Sequence, residues 1–236
     1  MKEKDVSSTA RSAVVTGAGR GIGAAIARRL AGDAYDVVAA SRTQAEVAVL
    51  AETTPRVSGV VADVAVESEV AALAHKAQAL GQLNVWVNNA AILHKTAFQD
   101  LTFDEWRATL AVDLDGVFLG CRAAFHCMCE TGGAIVNLAS LSGVPNVEKF
   151  PGLAAYNVSK AGVIALTEAV ALEGRPHGIR CFCISPGAVD TDMLRLAAPH
   201  LRPGMSPDDV AAIVAWLVSP DAAPLSGTNI PIFSNV

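Results

Sequence analysis

Apolar residues fall into two kinds of run along this chain, and the two kinds alternate. Short runs rich in valine, isoleucine and alanine predict strands at residues 13–16, 36–40, 57–62, 83–87, 134–138, 179–184 and 229–233. Longer stretches, in which alanine and leucine recur among polar residues, predict helices at residues 23–31, 43–52, 66–80, 103–129, 155–173 and 207–218. This alternation predicts a seven-stranded parallel sheet covered by helices on both faces.

The strand runs are apolar throughout rather than at every second position. Val14 and Val15 are adjacent, as are Val60 and Val61, which is typical of strands buried on both faces. No linker, repeat or low-complexity segment interrupts the chain. We therefore predict one doubly wound α/β domain over residues 1–236, with a cofactor half at about 12–139 and a catalytic and substrate half at about 140–236.

Composition narrows the class of protein. Of the 236 residues, 52% are hydrophobic and 17% are charged, which excludes intrinsic disorder. The net charge is −5 and no basic run is present, so we expect no nucleic-acid partner. No apolar stretch reaches the ~18–20 residues of a membrane span, and residues 1–12 lack the apolar core of a signal peptide. We therefore expect no membrane partner.

Five cysteines cannot all form disulfides with one another. Cys127 and Cys129, like Cys181 and Cys183, are only two residues apart, which is too close for comfortable pairing. We therefore expect reduced thiols and a cytoplasmic location. We expect no metal site, because no set of His and Cys residues with zinc spacing accompanies them.

A glycine-rich loop follows the first strand. Gly17, Gly21 and Gly23 have the spacing Gly-x-x-x-Gly-x-Gly. Gly17 allows a sharp turn, Gly21 allows the backbone to approach a pyrophosphate, and Gly23 allows the next helix to pack closely on the sheet. The positive end of that helix then faces the phosphates, so the loop predicts a dinucleotide site.

The residues after the second strand bear on the type of dinucleotide. Counting about 20 residues from the glycine loop leads to Ser41 and Arg42, with no acid directly after the strand. Ser41 and Arg42 can bind the 2′-phosphate of NADP, and Arg20 adds a second positive charge. The alternative is that both arginines are solvated surface charges. We expect NADP(H) to be preferred, with NAD(H) possible.

A tyrosine and a lysine lie four residues apart at the start of a predicted helix. The chain has only two tyrosines, and Tyr156 and Lys160 form this pair on one helical face. A nearby ammonium would lower the pKa of the phenol towards the range needed for acid–base catalysis. The alternative is an amphipathic helix that happens to carry a surface tyrosine and lysine.

Polar residues also follow other predicted strands. Ser140 follows the fifth strand, Asn88 and Asn89 end the fourth, and a turn at residues 185–191 follows the sixth. Because the carboxyl ends of parallel strands share one edge of a sheet, we expect these groups to meet there. Each taken singly also fits an ordinary turn.

Together these motifs make the chain resemble the short-chain dehydrogenase/reductase family over essentially its whole length. The residues that carry the resemblance are Thr16, Gly17, Gly21, Gly23, Asp63, Asn88, Asn89, Ala90, Ser140, Tyr156, Lys160, Pro186, Gly187, Val189 and Thr191. The resemblance implies a Rossmann fold and hydride transfer between a nicotinamide and a small carbonyl or alcohol substrate. It also points to a homotetramer or homodimer.

The resemblance assigns roles to individual residues. It implies that Ser140 orients the reacting oxygen, that Tyr156 exchanges its proton, and that Lys160 also binds the nicotinamide ribose. It places Asp63 and Val64 near adenine. The full set of expected cofactor-binding residues is Gly17, Arg20, Gly21, Ile22, Gly23, Ser41, Arg42, Asp63, Val64, Asn89, Ala90, Tyr156, Lys160, Val189 and Thr191.

Three features depart from the family pattern. Asp113 stands where members usually carry Asn, so we count it with the catalytic residues and expect it to pair with Lys160 and to reduce, shift or specialise activity. The stretch between Ser140 and Tyr156 is a few residues longer than usual. Residues 191–207 form a short substrate loop, and the usual Asp-Gly-Gly is missing near the C-terminus.

The substrate pocket is expected at residues 92–95, 141–150 and 187–196, where apolar residues predominate. His94 and Lys95 either meet an anionic group there or are solvated loop residues. Apolar surface on the helices at 103–129 and 155–173 favours a subunit interface. The enzyme hypothesis has one rival, which Asp113 and the altered C-terminus motivate: a nucleotide-binding module with little turnover, acting as a redox sensor or scaffold.

Overall fold

A computed structural model of the chain describes residues 10–233. The segment used above to argue against a signal peptide lies almost entirely outside this range. Seven strands form one parallel sheet: β1 (Arg11–Thr16), β2 (Asp36–Ser41), β3 (Val57–Val61), β4 (Gln82–Asn88), β5 (Gly133–Leu138), β6 (Ile179–Pro186) and β7 (Asn229–Ile232). The predicted seven-stranded parallel sheet is confirmed.

The helices alternate with these strands along the described chain. They are α1 (Gly21–Gly32), α2 (Gln44–Thr53), α3 (Glu67–Leu80), α4 (Phe103–Leu110), α5 (Gly116–Met128), α6 (Ala154–Gly174), α7 (Asp192–Ala197) and α8 (Pro207–Val218). Capping residues in the sequence explain where some of these helices begin. Ser206 caps α8 together with Asp209, and Pro207 occupies the first turn, where its missing N–H is not needed.

The strands lie in the order β3-β2-β1-β4-β5-β6-β7. The chain builds outwards from β1 to β3 and then returns to the other side of β1 with β4. Thr16 ends β1 and Asn88 ends β4, so the loops that follow these strands diverge at this point. A crevice beyond the carboxyl ends of β1 and β4 is the ligand site that this topology provides.

The sheet is buried on both faces, as the apolar runs predicted. Val15 belongs to a core shared with α1 and α8, whereas its neighbour Val14 belongs to a second core shared with α3 and α5. Both side chains are fully buried. Successive residues of a strand point to opposite faces, so one apolar run serves two cores and forms the middle layer of a doubly wound fold.

Two features differ from the sequence prediction. The predicted helix at 103–129 is helical without a break from 103 to 128, but an unpredicted π-helical turn at Ala111–Asp115 lies between α4 and α5. The short helix α7 was not predicted. Its six residues show no clear periodicity, and it begins at a Thr191 side chain that accepts a hydrogen bond from the Leu194 N–H.

The remaining global features concern membranes and cysteines. None of the helices within residues 10–233 is both long and apolar enough to cross a bilayer. All five cysteines carry free thiols, as expected, and Cys121, Cys181 and Cys183 are buried. These three cysteines pack as small groups in the core that the sheet shares with α3 and α5.

Candidate active site

A cavity of about 630 Å³ opens beyond the carboxyl ends of the strands. Ser140 and all the residues expected to bind a dinucleotide line it, whereas Asp113 lies buried behind its wall. The lining residues from this set are Gly17, Arg20, Gly21, Ile22, Gly23, Ser41, Arg42, Asp63, Val64, Asn89, Ala90, Ser140, Tyr156, Lys160, Val189 and Thr191. Residues far apart in sequence thus converge at the edge where the topology predicts a ligand.

The glycine loop has the shape that a phosphate site requires. Gly17 and Gly21 have φ angles of +62° and +53°, a region that other residues rarely adopt. A Cβ on Gly17 would lie 2.6 Å from the Cα of Ala90, so only glycine allows the loop to pass this close to β4. No side chain in the described chain caps the first turn of α1, and Gly21, Ile22 and Gly23 of that turn line the cavity. This geometry fits a pyrophosphate.

The two asparagines at the end of β4 have different roles. The Asn89 side-chain amide donates to the carbonyls of Thr16 at 2.9 Å and Gly17 at 3.0 Å, so it holds the glycine loop in place. Asn88 is buried and donates to Asn137 Oδ1 at 2.8 Å. The expectation that the polar groups at the strand ends meet at the ligand edge is therefore not met by the Asn88 side chain, which points into the core.

Charged groups of both signs meet at the ribose corner, the part of the cavity formed by Arg20, Ser41, Arg42, Glu46 and Asp63. The Ser41 hydroxyl donates to Glu46 Oε2 at 3.2 Å, and Glu46 also lies 3.8 Å from Arg20 Nε. Arg42 Nη1 lies 4.0 Å from Asp63 Oδ2.

Sequence reasoning missed Glu46. It found no acid directly after β2, but the first turn of α2 brings this carboxylate back to Ser41. The start of α2 was predicted to within one residue, but the search for an acid covered only the residues directly after the strand and left out the first turn of the following helix.

Ser140, Tyr156 and Lys160 converge at the inner end of the cavity. The Tyr156 hydroxyl faces Met193 Sδ at 4.0 Å, and a hydrogen bond from the Ser140 side chain reaches the phenol. A Cβ on Gly143 would lie 2.5 Å from the backbone of Lys160, so the turn after Ser140 packs directly on α6. This packing holds the serine and the helix in fixed relative positions.

Lys160 is buried, with 2% of its surface exposed, and it has two polar neighbours. Its Nζ donates to the Leu138 carbonyl at 3.0 Å and lies 3.9 Å from Asp113 Oδ2. Nζ also lies 5.5 Å from the centre of the Tyr156 ring. The expected pairing of Asp113 with Lys160 is therefore present in the structure.

The expectation that Lys160 lowers the pKa of Tyr156 is not met in this structure. Burial raises the pKa of Tyr156 well above its usual value, the Asp113 carboxylate raises it further, and the Ser140 hydrogen bond opposes them only in part. Burial also raises the pKa of Asp113 to about 6, against the opposing effects of Lys160, of the Ile92 N–H and of His94. Burial of the phenol and, after it, the negative charge of Asp113 therefore outweigh any effect of the Lys160 ammonium on Tyr156.

The substrate end of the cavity is mainly apolar, with Leu93, Phe150 and Met193 in its wall. His94 and Lys95 do not line it. The His94 ring instead contacts Thr109, and Lys95 Nζ donates to the Ala197 carbonyl at 2.8 Å. The side chains of these two residues turn away from the cavity. They stabilise the loop by their contacts with other parts of the chain.

The extra residues before Tyr156 contact the segment after α7 across the cavity. The Phe150 ring meets the His200 ring edge to face, with 6.0 Å between centroids. At the outer end, Arg20 pairs with Asp192 of α7 at 3.2 Å. The segment at residues 191–202 therefore covers the cavity and is tied to it at both ends.

Comparison with known proteins agrees with this geometry. Residues 11–201 match the family model of the short chain dehydrogenases. The chain is 36% identical to 3β-hydroxysteroid dehydrogenase 1 of Eggerthella lenta, over 93% of this chain and 91% of that protein. It is 32% identical to meso-2,3-butanediol dehydrogenase of Serratia marcescens, over 93% and 91%. It is 41% identical to 2-(R)-hydroxypropyl-CoM dehydrogenase of Xanthobacter autotrophicus, over 81% and 80%.

The fold and site define an oxidoreductase that acts on CH–OH groups with a nicotinamide dinucleotide. The chain belongs to the short-chain dehydrogenase/reductase family. Members of this family use NAD(P) and act on small molecules.

Proposed function

We propose that this protein interconverts a small carbonyl compound and its alcohol, with NADP(H) as the preferred cofactor. One observation carries the proposal: Ser140, Tyr156 and Lys160 meet at the inner end of a cavity whose outer end is a glycine loop suited to a pyrophosphate. A pure binding module has no use for all three side chains in that position.

The side chains divide the chemistry between them. When bound, the nicotinamide supplies a hydride to the carbonyl carbon or accepts one from the alcohol carbon. Ser140 hydrogen-bonds the reacting oxygen, and Tyr156 gives that oxygen its proton in reduction or takes the proton in oxidation. Lys160 holds the nicotinamide ribose beside them. In each reduction the phenol loses one proton and must regain it from solvent.

The preference for NADP(H) rests on two arginines at the ribose corner. The side chains of Arg20 and Arg42 are 71% and 60% exposed, and their pairs with Glu46 and Asp63 are long, at 3.8 and 4.0 Å. Exposed ion pairs of this kind contribute about 0–1 kcal/mol, so a 2′-phosphate can replace the carboxylates as their partner. Glu46 opposes this preference because it places a negative charge beside Ser41.

The apolar wall of the cavity favours a substrate with hydrocarbon around its carbonyl group. For the whole molecule we propose a homodimer or homotetramer in the cytoplasm. Phe103, Phe118 and Leu172 are exposed on α4, α5 and α6, and covering such side chains is a common role of a subunit interface. Light scattering of the purified protein tests this assembly.

The rival function, a nucleotide-binding module with little turnover, has one observation in its favour. The raised pKa of Tyr156 makes its phenol a weak acid. The two functions are separated by turnover, since the module would bind NADPH tightly and reduce no carbonyl compound.

A matched pair of tyrosine variants tests the enzyme hypothesis. A panel of aldehydes and ketones is incubated with NADPH and the loss of reduced nicotinamide is followed. Tyr156→Phe is expected to lower kcat by about 10²–10⁴-fold with cofactor affinity nearly unchanged, because it removes only the transferable proton. Tyr35→Phe is the control, since Tyr35 lies in the core near Arg11, away from the cavity. Equal activity of the two variants would contradict the proposal.

A further inference from the structure

Asp113 is a carboxylate in a place where water does not reach. Its exposed fraction is 0%. Oδ1 accepts a hydrogen bond from the Ile92 N–H at 2.8 Å, but Oδ2 has no hydrogen-bond partner among the described residues. A buried carboxylate with one unsatisfied oxygen is costly, so its charge must act strongly on whatever lies beside it.

The groups that act on Asp113 come from two parts of the fold. Lys160 and Tyr156 face it from α6, and His94 acts on it from the loop after β4. Asp113 itself sits in the π-helical turn between α4 and α5. Such turns displace one residue from the regular helix and often occur at functional sites. Here the turn brings the carboxylate to the back of the catalytic wall.

The two buried charges act on the phenol in opposite directions. The Lys160 ammonium favours ionised Tyr156, but the carboxylate 3.9 Å from that ammonium favours the neutral phenol. An amide at this position would keep the shape and an oxygen for the Ile92 N–H, yet it would leave the ammonium without a counter-charge. The identity of residue 113 therefore affects the pH at which the Tyr156 phenol ionises.

We infer that Asp113 is a positioning residue whose negative charge keeps Tyr156 protonated to a higher pH than an amide in its place would. Reduction needs the phenol and oxidation needs the phenolate. Asp113 therefore extends carbonyl reduction to more alkaline pH. It also raises the pH at which the rate of alcohol oxidation reaches its plateau. The equilibrium constant is fixed by the substrates and cofactors. Asp113 therefore changes only how the rates of reduction and oxidation depend on pH. The kinetic part of this inference rests on the proposed function.

The scarcity of tyrosine provides a direct test. In a Tyr35→Phe background, Tyr156 is the only phenol, and its ionisation can be followed by ultraviolet absorbance without any cofactor. Asp113→Asn is compared with Asp115→Asn, which removes an exposed carboxylate from the same π-helical turn. Circular dichroism at each pH identifies the range in which each variant is folded.

We expect Asp113→Asn to ionise Tyr156 at a pH lower by about one unit or more, and to lose carbonyl reduction at correspondingly lower pH. Asp115→Asn is expected to match its parent in both measurements. The inference is overturned if neither the ionisation of Tyr156 nor the alkaline limb of reduction differs between the two variants. If no variant reduces any carbonyl compound, the proposed function fails, but the absorbance titration still tests Asp113.

Discussion

The two ends of the cavity each hold an ion pair of nearly the same length in opposite surroundings. Arg42 and Asp63 are 4.0 Å apart at the ribose corner, where the arginine side chain is 60% exposed. Lys160 and Asp113 are 3.9 Å apart at the catalytic end, where their side chains are 2% and 0% exposed. Water screens the first pair and is excluded from the second, so the same separation has different consequences.

This difference in exposure to water gives the two ion pairs different functions. At the ribose corner the charges exchange partners easily, which suits recognition of a ligand that arrives with its own charge. At the catalytic end neither charge can be removed without leaving the other buried and unpaired. The buried pair therefore acts on protons and stability, and the exposed pairs act on the choice of cofactor.

Removing the buried ammonium is expected to have the largest effect. Lys160→Met leaves the Asp113 carboxylate unpaired, and loss of one partner of a buried pair costs about 3–5 kcal/mol of unfolding free energy. Urea unfolding at about pH 8 measures this loss, since Asp113 tends to be ionised there. The double variant with Asp113→Asn should regain most of it. A double variant as unstable as Lys160→Met would show that the two charges are not coupled.

The pH dependence of stability examines the same pair without breaking it. Because burial raises the pKa of Asp113 to about 6, above the ordinary value near 3.8, the folded state still holds a proton that the unfolded state releases between these two pH values. Stability contributed by this group is thus greatest at the acid end and falls by about 2 kcal/mol as pH rises from 4 to 6, out of about 3 kcal/mol over the whole titration.

Comparison with Asp113→Asn isolates this contribution from the other carboxylates. The unfolding free energy of both proteins is measured over the same pH range. The value for the parent minus that for Asp113→Asn is expected to decrease by this amount as pH rises. A difference that stays constant with pH would mean that Asp113 has an ordinary pKa in the folded protein.

The catalytic end also shows where sequence reasoning succeeds. The sheet, the glycine loop and the positions of Ser140, Tyr156 and Lys160 follow from local patterns, namely apolar runs and residues four apart on a helix. The pairing of Asp113 with Lys160 was expected because an unusual residue stood in a familiar motif. Its effect on Tyr156 was not, since burial depends on the packed structure as a whole.

The ribose corner shows where such reasoning stops. Ser41, Arg42 and Arg20 were found by counting from the glycine loop, and all three line the cavity. Glu46 was missed because the return of its side chain to Ser41 depends on how the first turn of α2 packs against β2, which counting along the chain does not show. Long-range contacts such as the pair between Arg20 and Asp192 are likewise set by the path of the chain and leave no pattern in the sequence.

At the exposed end, Arg42→Ala is expected to have a moderate and selective effect. A contact between an exposed arginine and a phosphate is worth about 1 kcal/mol, so the dissociation constant for NADPH should rise about fivefold. The constant for NADH should stay the same, because that cofactor lacks the 2′-phosphate. Fluorescence titration with both cofactors measures this. Equal weakening of the two would contradict a role for Arg42 in selectivity.

The smallest effect is expected at Glu46. Glu46→Gln keeps an oxygen to accept from Ser41 but removes the charge that opposes a 2′-phosphate, and it frees Arg20 from one partner. Screened repulsion at this exposed corner amounts to about 0.5 kcal/mol, so NADPH should bind about two- to threefold more tightly. NADH, whose ribose hydroxyls can donate to the carboxylate, should bind slightly less well. Glu52→Gln, at an exposed position of the same helix, is the control. Since salt weakens exposed charge effects, the gain for NADPH should shrink as ionic strength rises, and a gain independent of salt would mean that Glu46 acts by shape rather than by charge.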